Sequence, residues 1–61
     1  MNARLFSALR ELAHWHGAFR WRHASMEKLT AMGLAQQIPG QWGWIITPAG
    51  REKLAEMEAQ K

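Results

Sequence analysis

The first part of the chain carries a helical stripe. Leu5, Ala8, Leu9, Leu12 and His16 recur at the spacing of one helix face. Phe6 and Ala13 widen the stripe on one side and Trp15 borders it on the other, while Arg4, Ser7, Arg10, Glu11 and His14 lie opposite. This predicts a first helix over 3–16 with a packing role, Asn2 as its N-cap and Gly17 as its stop. The period then drops to two. In GAFRWRHA, residues 17–24, Phe19 and Trp21 alternate with Arg20 and Arg22, which predicts a short strand with an apolar inner face and a basic outer face. A second helix follows over 25–32. Ser25 is its expected N-cap, Met26 and Leu29 its inner face, and Glu27, Lys28, Thr30 and Ala31 its outer face.

From residue 26 to residue 54 each boundary carries a local signal. Gly33 stands where a helix closes in the left-handed conformation, which places Leu34 to pack back on the last turn. Residues 35–38 suit a strand, and Pro39-Gly40 suits the centre of a type II turn. Over 42–47, Trp42, Trp44 and Ile46 alternate with Gly43, Ile45 and Thr47, as a second strand would. Thr47-Pro48 reads as an N-cap followed by Pro at the first helical position, opening a helix over 48–61. Leu54 and Met57 are its expected inner residues, with Ala55 nearby, and Lys53 and Glu56 can pair at i, i+3. Gly50 in its first turn implies a close backbone approach or a bend. The expected core is Leu9, Leu12, Leu29, Trp44, Ile46 and Leu54. The fold class is α+β, a single domain over 1–61 with three helices and a small antiparallel sheet of two or three strands.

Composition narrows the function. With 61 residues and no Cys, the domain has a small core and neither disulfide nor thiolate metal site to brace it, so its four Trp residues carry much of the burial. A homodimer would relieve that shortage. No apolar run approaches a membrane span and the N-terminus lacks a secretory apolar region, so a cytoplasmic location without membrane contact is expected. There is no Asp, Cys or Tyr, which removes Ser-His-Asp and Cys-His catalysis. His14 and His16 are two apart on a helix and cannot chelate together. Neither an enzyme, a metal site nor a cofactor is expected.

The net charge of +3 permits an anionic partner without requiring one. Arg20, Arg22 and His23 cluster before the second helix, interleaved with aromatics that can share a phosphate-binding surface. Ser25, Lys28 and Thr30 are the polar residues that helix would offer, whereas Glu27 does not help with phosphate. Gln37 and Gln41 flank the turn and can reach base edges or phosphates, and Trp42 at the ribbon's open end is a contact candidate.

The segments MEKLTAMGL and WIITPAGREKL, joined by a hairpin, resemble the second half of winged helix-turn-helix proteins, especially transcriptional regulators of the MarR-like kind. The likeness covers about half the chain. It implies a minimal winged helix in which 25–32 is the recognition helix, 36–44 is the wing, and Arg20 and Arg22 lie near the start of the recognition helix. GAFRWRHA is too short for the separate helix and turn that normally precede recognition, so the motif is reduced. The expected function is a small duplex DNA-binding protein, a transcriptional regulator, with Arg20, Arg22, His23, Ser25, Lys28, Thr30, Gln37, Gln41 and Trp42 as contacts. Small size and reduced form also suit a phage-encoded regulator. The alternative is a protein-interaction module, for instance a small inhibitor docking on a host protein through Trp42 and the basic strand.

Overall fold

A computed structural model describes residues 3–60; the expected Asn2 cap and the end of the last helix at Lys61 lie outside them. The elements run α1 (Ala3–His14), α2 (His23–Ala31), β1 (Ala35–Gln37), β2 (Trp44–Ile46) and α3 (Pro48–Ala59). Three helices and a two-stranded antiparallel sheet make an α+β fold consistent with a minimal winged helix. No helix among the described residues is long and apolar enough to cross a membrane.

The amphipathic stripe of α1 buries Ala8, Leu9 and Leu12, with Leu5, Phe6 and Ala13 packed at its edges. The helix stops two residues short of the expected 3–16. The Trp15 amide bonds back to Leu12 O at 3.3 Å and its indole Nε1 donates to Ala18 O at 3.2 Å, which curls the chain away from the helix axis. His16 is consequently exposed, not on the inner edge.

The segment after α1 is not a strand along its length. Phe19 alone bridges to Trp44, through Phe19 N to Trp44 O at 3.0 Å and Trp44 N to Phe19 O at 2.9 Å. Phe19 is fully buried by this anchor, a core role larger than its place in the alternation implied. Trp21, expected to share its inner face, is 52% exposed. The alternation fails because Arg22 adopts a left-handed conformation, φ 57° and ψ 48°, and swings the chain directly into α2. Helix α2 therefore starts at His23, and Arg22 occupies the cap position with its carbonyl accepting from Met26 N at 2.9 Å. Ser25 is not the N-cap; it is buried within the first turn.

The second half follows its local signals closely. Gly33 N bonds to Thr30 O at 3.0 Å and Leu34 N to Leu29 O at 2.9 Å, a Schellman closure that folds Leu34 into the core. β1 and β2 are each shorter than the expected strands and pair as Ala35↔Ile46, Gln36↔Ile45 and Gln37↔Trp44. The turn between them closes through Gln41 N to Ile38 O at 3.2 Å, with Pro39 and Gly40 central and Gly40 at φ 75°, as a type II turn requires. Thr47 caps α3: its Oγ1 accepts from Gly50 N at 2.9 Å and donates to Gly33 O at 2.8 Å. Gly50 is the expected close approach. A Cβ there would lie 2.2 Å from Leu34 O and 2.7 Å from Ile46 Cγ1. Leu54 is buried and Met57 half-buried, and the neighbouring Ala55 is exposed. The Lys53–Glu56 pair forms at 3.6 Å.

The core joins Leu9, Leu12, Leu29, Trp44 and Leu54, as expected, to Ala8, Phe19, Met26, Leu34 and Ala35. Ile46 is half-buried and packs against this cluster rather than inside it.

Candidate nucleic-acid interface

Because α2 packs Met26 and Leu29 inward, part of its outer face is turned to the hairpin. His23, Glu27 and Thr30 line one wall of a groove of about 250 Å³, and Gln37, Trp42 and Trp44 line the other. Four of the sequence candidates, His23, Thr30, Gln37 and Trp42, thus meet in one place. Gln41 stands with Gln37 and Trp42 around an adjoining hollow at the hairpin tip. Trp42 is 74% exposed, the most open large apolar side chain among the described residues.

Local bonds orient these groups. His23 Nε2 donates to Arg20 O at 2.9 Å, and its ring meets Trp44 edge-on at 5.1 Å. The imidazole is thereby held at the groove mouth with Nδ1 left over. Thr30 Oγ1 donates to Met26 O at 2.7 Å, so its hydroxyl can serve an incoming group only as an acceptor.

The remaining candidates divide. Arg20 and Lys28 are exposed and enter no ion pair among the described residues, so both can meet phosphate. Lys28 is not among the residues that line the groove. Ser25 is buried and offers nothing to the surface. Arg22 is committed to α1: Nη1 lies 2.6 Å from Glu11 Oε2 and 3.3 Å from Ser7 Oγ, and Nη2 donates to Arg4 O at 3.3 Å. It ties the start of α2 to α1. A sequence signal for this existed. Glu11 is the sole acidic residue before Glu27, so a nearby guanidinium has one anion to find.

Two features were not anticipated. Glu27 lies in the groove itself, an anion where phosphate would be unwelcome but where an amino group on a base edge would be accepted. Trp15 and Trp21 form an exposed aromatic pair away from the groove. Glu52, Glu56 and Glu58 all sit on α3, which packs on α1. Among the described residues no cluster of three His or acidic side chains converges to hold a metal ion. Comparison with protein-family models, curated proteins and solved structures gives no match to this chain.

Proposed function

We propose that the chain is a small duplex DNA-binding protein that acts as a transcriptional regulator. The observation that carries this reading is the α2–hairpin groove, which gathers His23, Thr30, Gln37 and Trp42 on one surface. A helix with its side chains is about 10–12 Å across and the major groove about 12 Å wide. In this reading α2 enters the groove and the hairpin tip follows the adjacent backbone. Arg20 and Lys28 neutralise phosphates; Gln37, Thr30 and His23 offer donors and acceptors to base edges; Gln41 and Trp42 contact the flank. The acidic residues of α3 stay clear of the duplex.

The test is an electrophoretic shift with mixed-sequence duplex DNA, titrated with salt. Binding should fall steeply as salt rises, because each neutralised phosphate releases counterions. The exposed Trp42 and the anionic Glu27 favour one second reading, docking of a protein partner on the same groove. Salt-insensitive behaviour, or no shift at low salt, would replace the DNA reading with that one.

A further inference from the structure

We infer that the chain carries a second docking surface, built on Trp15 and Trp21, for an acidic protein segment bearing aliphatic or aromatic side chains. No residue of this surface lines the α2–hairpin groove, so the inference stands apart from the DNA reading.

Trp15 and Trp21 are 46% and 52% exposed and meet edge-on at 4.8 Å, with an interplanar angle of 71°. Both rest on buried Phe19, at ring distances of 5.8 and 5.5 Å. Phe19 already seals the core there, and about half of each indole is left in solvent. Contiguous exposed apolar area of this kind marks an interaction site, and Trp is among the residues that carry most binding energy at interfaces. The ring of Trp15 is held by its bond to Ala18 O, so little side-chain freedom is lost on binding.

The surroundings state the partner's chemistry. Trp15 is the shared wall of two hollows. One, of about 260 Å³, is lined by Leu12, Ile45, Ile46 and Arg51. The other, of about 370 Å³, holds Arg10 and His14, with Glu11 neutralised by Arg22. Neither Arg10 nor Arg51 has an ion-pair partner among the described residues. An aliphatic hollow beside an unpaired guanidinium fits a leucine or phenylalanine flanked by carboxylates. A second copy would set Arg10 and Arg51 against their own kind, a like-charge contact that disfavours self-association. A nucleic acid strand fits less well, since Leu12, Ile45 and Ile46 offer base edges no hydrogen bonds and the edge-on indoles form no parallel slot.

The test selects from a ribosome-displayed library of random short peptides on the immobilised full chain, with the Trp21→Ala chain as counter-target. Enriched peptides should combine Asp or Glu with Leu, Phe or Trp. Titrating one into labelled protein should move the indole Nε1–H signals of Trp15 and Trp21 and leave that of Trp42 in place. Reversing both cations, Arg10→Glu with Arg51→Glu, should weaken that binding by about tenfold or more while the melting temperature holds. No enrichment over the counter-target, enrichment of basic peptides, or a response confined to Trp42 would overturn the inference. So would indole shifts that track protein concentration alone, which would mark a dimer, or equal competition by a single-stranded oligonucleotide.

Discussion

Replacing Arg22 by Ala, and separately by Gly, isolates what this residue contributes. Ala removes the contacts to Glu11, Ser7 and Arg4 and keeps the left-handed backbone; Gly removes the contacts and accommodates that backbone. The Arg22 side chain is 29% exposed and that of Glu11 56%, so the ion pair belongs with surface pairs, at about 0.2–1 kcal/mol. With the two longer hydrogen bonds, Arg22→Ala should cost about 1 kcal/mol. A residue with a Cβ in the left-handed region costs about 1–2 kcal/mol. Gly recovers this but loses about 0.5–1 kcal/mol to the greater freedom of its unfolded chain. Arg22→Gly should therefore be milder than Arg22→Ala, near neutral. In a domain of this size 1 kcal/mol shifts Tm by about 4–8 °C. Thermal unfolding followed by circular dichroism should show that loss for Arg22→Ala and most of it restored in Arg22→Gly. Equal Tm values for the two variants would refute the left-handed cap. The same variants bear on DNA binding. Arg22→Ala should leave the salt slope of binding unchanged, while Arg20→Ala lowers it by about 0.9 and leaves Tm alone. A slope that falls in Arg22→Ala would mean that the guanidinium leaves Glu11 for phosphate, and the assignment of Arg22 to support would be wrong.

Leu29→Ala, at a fully buried position, should cost about 2–5 kcal/mol in urea unfolding, a large share of the stability of so small a domain. Gly50→Ala should destabilise by about 1–3 kcal/mol despite the better helix propensity of Ala, because the new methyl meets Leu34 O; a stabilised variant would deny the close approach. Thr47→Val keeps the shape but loses the cap to Gly50 and the bond to Gly33, and should lower stability by about 0.5–2 kcal/mol in the same assay. Trp42→Ala should weaken binding to duplex DNA with no change in Tm, since its side chain is largely in solvent.

The parts of the fold that were readable are those set by neighbours in the chain. Gly33-Leu34, Pro39-Gly40 and Thr47-Pro48 each settle a boundary within a few residues, and the structure places all three as those dipeptides imply. The misread segment is 15–25, where distant partners decide. Phe19 is drawn to Trp44, and Arg22 to Glu11 on the preceding helix. Neither pairing has a local signature, and together they break the alternation that suggested a strand and move the helix start from Ser25 to His23. The candidate site inherited this pattern. Thr30, Gln37 and Trp42 lie where short-range rules put them, and His23 joins them because α2 starts earlier than expected; Ser25 and Arg22 likewise depended on the misread turn.

Thr47 joins three segments at one point: its hydroxyl links the end of α2 to the start of α3, and its amide bonds to Leu34 O at 3.2 Å beside them. The hairpin tip beyond is closed by its own bonds, Gln41 N to Ile38 O and Ile38 N to Gly43 O. Loop closure costs only about 0.6 kcal/mol for each doubling of length. Reach and rigidity are therefore separable in this chain: residues 39–42 can be lengthened or exchanged to alter what the ribbon touches, while the anchorage at its root tolerates no insertion. A family descended from such a scaffold would diversify first in the length of that tip.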